Sequence, residues 1–277
     1  MAQSSSYDPA RDAVRLALQS ELMLAADTPI LTRVLSELHG AKGPLLRVLD
    51  AGCGTGSATL ARFAHLDGVD VLGIDRSEAA IAEARASVAS TTPVRFRVGE
   101  LEDIDPALEQ FDLVFCALVL HVAPDQAGTV ATLWSLVAPG GRLIIRGLDD
   151  ALTLCYPDSA DNRTIAALTP MVFAEVDRYH GRTMPGLIAR LANVATLEIE
   201  FPAITTLCRP GAEGRTAYFW VVQGWKDSAV MDVTSMSPTR RLRFQQLSEA
   251  IEAERVRFSN TEVFASSNVV IVSARKN

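Results

Sequence analysis

Apolar positions in the first forty residues recur at helical spacing, with Val14, Leu18, Leu22, Leu31 and Leu35 on one face between Pro9 and Leu38. Thr28-Pro29 interrupts that run as an N-cap followed by proline at a first helical position, so the pattern predicts two helices there. Residues 1–8 are polar and are expected to fray. After Gly43-Pro44 the period changes. Leu45–Leu49 is a short apolar run of the kind that forms a strand buried on both faces. Helical patterns over 58–66, 78–89 and 126–136 then alternate with strand patterns over 69–74, 94–98 and 111–118. The turn Ala138-Pro139-Gly140-Gly141 leads into a further strand, 142–147. Such alternation predicts an α/β fold with a mostly parallel sheet covered on both faces and right-handed crossovers.

Beyond residue 150 the pattern loosens. Helical signals cover 163–179 and 185–192, with no convincing strand over 151–195. Leu197–Leu207 alternates and is rich in β-branched residues, 216–230 and 238–257 read as helices, and Asn268–Ser273 is a buried-type strand. No period of 20 to 50 residues repeats, which excludes solenoids and propellers. The expected organisation is a helical N-terminal extension over 1–44, a core over 45–150, a helical insertion over 151–195, and completion of the sheet over 196–277.

Composition narrows the class. The 277 residues are 48% hydrophobic and 21% charged, enough apolar surface to bury a core and little scope for disorder. Stretches such as Leu113–Leu120 are far too short to cross a bilayer, and the Met1–Ser6 start has no secretory pattern. No membrane partner is expected. A formal charge of -7 disfavours a nucleic-acid partner. Cys53, Cys116, Cys155 and Cys208 are widely spaced, which fits free thiols in a cytoplasmic setting and no metal site. Arg240-Arg241-Leu242-Arg243 reads as a solvated helix face, and Trp220 and Trp225 as core or interface. A monomer and a homodimer both fit.

The sharpest feature is Asp50-Ala51-Gly52-Cys53-Gly54-Thr55-Gly56, where a strand runs through spaced glycines into a helix. Glycines there let the backbone turn tightly and approach a ligand closely. At the end of the next strand Asp75 stands where a carboxylate accepts hydrogen bonds from both ribose hydroxyls of a nucleoside. Two ligand classes share this plan, dinucleotides and S-adenosylmethionine. A dinucleotide fingerprint wants glycine where this chain has Ser57, and no Lys-Ser/Thr follows to hold a triphosphate. Asp50 would repel a pyrophosphate but suits the α-ammonium of a methionine moiety, directly or through water.

These residues resemble motif I of the class I S-adenosylmethionine-dependent methyltransferases, matching D-x-G-x-G-x-G at every fixed position. The resemblance implies a Rossmann-like seven-stranded sheet with an antiparallel last strand, the final pair coming from Leu197–Leu207 and Asn268–Ser273. It implies S-adenosyl-L-methionine as cofactor, held by Asp50, Gly52, Cys53, Gly54 and Gly56, with Asp75 and its neighbour Arg76 at the ribose. Val98-Gly99-Glu100 is similar to the segment that closes over the adenine, where the family has Gly-Asp, so Glu100 and the Leu101 amide face the ring and Cys116 flanks the site. Cys53 and Cys116 read as small packing residues rather than reactive thiolates. Phe111–Cys116 with Leu120–Asp125, and Pro139-Gly140-Gly141, resemble the fourth strand, its turn and the turn before the fifth strand in small-molecule members. Arg15–Gln19 resembles the helix before the core in quinone and natural-product methyltransferases. The insertion over 151–195 corresponds to a place where many members build a lid over substrate.

Methyl transfer from a sulfonium is an in-line displacement, so alignment of donor and acceptor is the main task. His121, after the fourth strand, is the candidate base or substrate-positioning group, with packing under the following loop as the alternative role. Tyr156, Tyr179, His180 and Arg182 in the insertion, with Gln19 in the N-terminal helix, are the candidate substrate contacts; Arg182 has the fork that clamps a carboxylate. The expected function is O- or N-methylation of a small molecule, a specialised metabolite or quinone-like phenol. Methylation of tRNA or protein, a non-catalytic donor-binding subunit and, more remotely, a dehydrogenase are the rival readings.

Overall fold

The computed structural model describes residues 13–89, 92–208, 233–260 and 262–277. The helix expected over 216–230, with Trp220 and Trp225, lies outside them. In chain order, the longer elements are α1 (Ala13–Lys42), β1 (Leu46–Ala51), α2 (Ser57–Phe63), β2 (Val69–Asp75), α3 (Glu78–Ala86) and β3 (Val94–Val98). Then come β4 (Phe111–Ala117), α4 (Gln126–Ser135), β5 (Val137–Tyr156), α5 (Ala160–Val172), α6 (His180–Ile188), β6 (Val194–Glu200), β7 (Ala203–Cys208), α7 (Pro238–Asn260) and β8 (Val263–Lys276).

The sheet runs β3-β2-β1-β4-β5-β8-β6, the expected seven-strand path, and β7 pairs β8 off that path. β1 pairs in parallel with β2 and β4, as β2 does with β3 and β4 with β5, while β6 and β8 are antiparallel. The apolar runs explain the core. Leu46, Val48, Leu49, Val71, Ile74, Leu113, Val114, Phe115, Leu143 and Ile144 are fully or almost fully buried, as strands covered on both faces require. Because every βα connection leaves from a strand's carboxyl end, the turns after β1, β2, β3 and β4 gather along one edge.

Three expectations change. α1 is one helix, not two: Thr28 Oγ1 donates to the Leu24 carbonyl at 2.7 Å instead of capping, and Pro29 sits exposed inside the helix. An interior proline costs about 3 kcal/mol, whereas Met23, Ile30, Leu31, Val34, Leu35 and Leu38 bury a continuous stripe across it. At about 1.5–3 kcal/mol for each large side chain, that stripe outweighs the proline. β5 runs on to Tyr156, so residues 151–156 are strand rather than part of a helical insertion. The alternating stretch 197–207 is two strands, because Pro202 lacks the N–H a ladder needs and Phe201-Pro202 separates β6 from β7.

Two compact units emerge. The larger comprises Met23–Ala151, Asp177–Pro202 and Asn268–Asn277; the other comprises Met1–Leu22, Leu152–Val176 and Ala203–Ser267. In the larger unit α1 is tied to the sheet by Arg142, which reaches Glu37 at 2.6 Å, and by Arg33, which reaches Glu200 at 2.7 Å and Glu198 at 2.8 Å. In the other, α5 packs on α7 through Phe173 and Phe244, whose ring centroids lie 6.4 Å apart edge to face. Ser159 caps α5 by accepting the Asn162 N–H, and Arg257 grips Glu254 with two nitrogens.

Candidate active site

The glycine turn after β1 is pinned by two amides, Gly52 N–H and Cys53 N–H, which both donate to the Ile74 carbonyl at 2.8 and 3.0 Å. Gly56 has φ +75°, and a Cβ there would stand 2.5 Å from the Phe96 ring and 2.8 Å from the Ala84 Cβ. Only glycine lets α2 start that close to β3 and α3. Gly54 also has a positive φ, +55°, but a Cβ there would meet nothing within 4 Å. One glycine serves packing; the other fronts open space.

Asp75 closes the turn from the β2 side. Its Oδ2 accepts the Gly54 N–H at 2.9 Å, its Oδ1 accepts the Ser77 N–H at 2.9 Å, and its backbone carbonyl accepts the Gly99 N–H at 3.1 Å. A carboxylate has about four acceptor positions, so about two remain after these bonds. Gly99, like Gly54, has no neighbour within 4 Å of a Cβ. The open edge thus runs from the β1 turn past Asp75 to the end of β3, where Glu100 is exposed and Leu101 half-buried. Arg76 is exposed beside it. This edge sets the spare acceptor positions of Asp75 beside the open space at Gly54 and Gly99, room for a ligand that donates hydrogen bonds to a carboxylate. Cys53 and Cys116 border it as inert thiols, because burial and the nearby Asp50 charge push both well above the usual range.

Asp50 belongs to a buried ionic cluster. Its Oδ2 accepts the Thr59 hydroxyl at 2.6 Å and lies 3.6 Å from Arg62 Nη1. Arg62 in turn donates through Nε to Asp27 Oδ2 at 2.7 Å and lies over the Phe115 ring at 4.7 Å. Arg146 Nε stands 3.3 Å from Asp27 Oδ1, yet that oxygen and two Arg146 nitrogens make no hydrogen bond among the described residues. Burial pulls Arg146 down to about 10 and raises Asp50, against the pull of Arg62 and Thr59. Thr59, Arg62, Asp27 and Arg146 carry no motif, and arginine is ordinarily placed at the surface. The one sequence signal was the spacing of Thr59 and Arg62, three apart on one helix face.

At the end of β4 the backbone is strained: Leu118 has φ +57°, a region that a γ-branched side chain rarely enters, and donates its N–H to the Arg146 carbonyl. His121 follows in a short 3-10 turn, half-buried, and its carbonyl accepts the Asp177 N–H at 2.9 Å. Its ring lies 5.7 Å from that of His180. His180 is buried and fully engaged: Nδ1–H donates to the Asp177 carbonyl at 2.9 Å and Nε2 accepts the Leu148 N–H at 3.2 Å. That pattern requires the neutral ring and leaves no nitrogen for substrate, which corrects the expectation that His180 contacts an acceptor. Arg182 spends its fork on Asp149, at 2.6 and 2.7 Å, and stacks over Tyr179 at 4.9 Å. Burial alone would raise Asp149, but the Arg182 pair holds its carboxyl below the usual range. The clamp expected for a substrate carboxylate already holds one of the protein's own. Tyr156 is exposed and Gln19 half-buried, and both belong to the other compact unit.

Burial depresses the His180 pKa, against the Asp177 carbonyl and carboxylate, with Arg178 and Asp149 also facing the ring. The unfolded chain therefore binds this proton more readily, and stability falls as pH drops through about 6.5, by up to ~1.4 kcal/mol per pH unit. Thermal unfolding of the wild type at pH 5.5 and 7.5 should show that loss, and His180→Gln, which keeps a donor and an acceptor but cannot titrate, should flatten it. An unchanged slope in the variant would assign the acid sensitivity elsewhere.

A model of the methyltransferase domain family matches residues 42–181, just over half of the chain. Among curated relatives, trans-aconitate 2-methyltransferase of Deinococcus radiodurans is 33% identical over 103 residues, 37% of this chain and 38% of that protein. Ubiquinone biosynthesis O-methyltransferase of Pseudomonas savastanoi pv. phaseolicola is 33% identical over 117 residues, 42% of this chain and 49% of that protein. The chain thus spans about two fifths to one half of the length of these relatives. Among solved structures, the YcgJ protein of Bacillus subtilis superposes with a TM-score of 0.51 at 15% identity, covering 88% of this chain and 97% of that one, a likeness of fold.

Proposed function

The chain belongs to the class I S-adenosylmethionine-dependent methyltransferase family, and from that premise we propose that it methylates a small acceptor, at oxygen or nitrogen, such as a specialised metabolite or a quinone-like phenol. The observation that carries the reading is the cradle in which Gly54 donates to Asp75 while Gly54 and Gly99, on either side of that acid, front open space. The donor supplies a methyl on a sulfonium whose sulfur departs with the bonding pair, so the acceptor's lone pair forms the new bond in line. The protein's part is to hold the two partners. Asp75 takes the ribose hydroxyls, Glu100 and the Leu101 amide meet the adenine, and Asp50 meets the ammonium of the methionine moiety. Acidic groups at all three points favour a cationic donor over a pyrophosphate. His121, at the end of β4, positions the acceptor or takes its proton. An oxygen acceptor is favoured by the similarity to an O-methyltransferase of ubiquinone biosynthesis. A cytoplasmic setting accords with the free thiols of Cys53 and Cys116. No helix among the described residues is long and apolar enough to cross a membrane.

Calorimetric titration with S-adenosylmethionine and, separately, NAD tests the reading, followed by mass-spectrometric screening of phenols, carboxylic acids and amines for a gain of one methyl group. Micromolar binding of S-adenosylmethionine alone, with a methylated product, is expected. Binding of NAD instead, or donor binding without turnover on any small acceptor, would overturn it.

A further inference from the structure

We propose that Arg62, anchored by Asp27 of α1, is a positioning residue for donor binding: it orients the Asp50 carboxylate toward the amino-acid end of the methyl donor, which makes the N-terminal helix a working part of the site. The inference rests on the donor reading above and extends it to residues outside the glycine turn. Asp50 leaves β1 two residues before the first glycine, and both the Arg62 nitrogen and the Thr59 hydroxyl converge on its Oδ2. Its Oδ1 makes no hydrogen bond among the described residues and is the oxygen left for a ligand. Arg62 cannot swing away, because Asp27 holds its Nε at 2.7 Å and the Phe115 ring supports its plane at 4.7 Å.

A purely structural role is poorly served by this arrangement. Two acids and two arginines buried together carry heavy desolvation, which apolar side chains of similar volume would avoid. The cluster is also incompletely bonded, with Asp27 Oδ1 and Arg146 Nε and Nη1 all buried without hydrogen bonds among the described residues. What it does supply is a fixed field at Asp50. The charged groups facing that carboxylate are Arg62 from α2, Asp27 from α1 and Arg146 from β5, and the thiols of Cys53 and Cys116 stand beside it. Arg62 and Arg146 favour its ionised form, while Asp27 and burial oppose it. The two sides of the cluster therefore have opposite effects on the same group.

Those opposed effects give the test. Binding of S-adenosylhomocysteine and of 5′-methylthioadenosine, which lacks the amino-acid end, would be titrated from pH 5 to 8 on the full-length protein and its variants. Arg62→Met is expected to weaken S-adenosylhomocysteine at least tenfold at pH 7.5, to move the acid limb of that affinity to higher pH, and to leave 5′-methylthioadenosine unchanged. Arg62→Lys should recover part of the loss. Asp27→Asn, an isostere, should move the acid limb the other way and decides the matter alone if Arg62→Met does not fold. Equal weakening of both ligands would mean a scaffold role only and would overturn the proposal, as would affinities and pH limbs that do not move. A wild type that binds neither ligand would instead sink the donor reading itself, and this inference with it.

Discussion

Asp75→Ala is expected to weaken S-adenosylmethionine by about 100-fold or more, the largest effect of any single side chain at the site. Hydrogen bonds to a charged acceptor contribute about 1.5–3 kcal/mol each. Two of them, from the ribose hydroxyls, would total about 3–6 kcal/mol, of which solvent entering the truncated site returns a part. The substitution also frees the Gly54 N–H, which now donates to Asp75 Oδ2 at 2.9 Å and keeps the glycine turn facing its neighbour strand. Asp75→Asn separates the two contributions. The amide keeps the shape and one acceptor oxygen, but its NH2 must oppose one of the Gly54 and Ser77 N–H donors. An intermediate loss is therefore expected, smaller than for alanine. Calorimetry of both variants, with thermal unfolding as a control for the fold, reads the difference. A loss below about threefold for alanine would mean that the ligand's sugar lies somewhere else.

The contrast between what the sequence reveals and what it hides follows from range. The parallel core is legible because each strand is a continuous apolar run and each turn residue acts locally, as Gly52–Gly56 and Asp75 do. The parts of the proposed donor cradle are legible for the same reason, since they are glycines and an acid placed at strand ends. Asp27, Arg62 and Arg146 are not, because each looks like a surface residue until a partner far along the chain neutralises it; Asp27 and Arg62 are 35 residues apart. Local chemistry also misleads where tertiary packing outweighs it. Thr28-Pro29 is a sound helix start, yet a buried stripe carries α1 through it. His180 and Arg182 look like free polar groups in a loop, and instead bind the Asp177 carbonyl and the Asp149 carboxylate.

Gly56→Ala should unfold the site, and Gly54→Ala should silence it while leaving the fold nearly intact. At Gly56 an alanine suffers twice. The left-handed backbone, φ +75°, costs a residue with a Cβ about 1–2 kcal/mol. The Cβ also falls 2.5 Å from Phe96 Cζ and 2.8 Å from Ala84 Cβ, so α2 must move away from β3 and α3. Overpacking of that kind costs typically 1–3 kcal/mol. The sum, about 2–5 kcal/mol, is a large share of the ~5–15 kcal/mol by which a domain is stable, and should lower the thermal midpoint by several degrees or more. At Gly54 the backbone term is similar, with φ +55°, but nothing lies within 4 Å of the new methyl. Its stability cost should stop at about 1–2 kcal/mol. The methyl enters the open space beside Asp75, where the donor is expected, so affinity should fall at least tenfold. Measured together, the pair distinguishes packing glycine from ligand glycine. Equal destabilisation by both variants would mean that the Gly54 face is closed, and donor binding that survives Gly54→Ala would move the donor away from this turn.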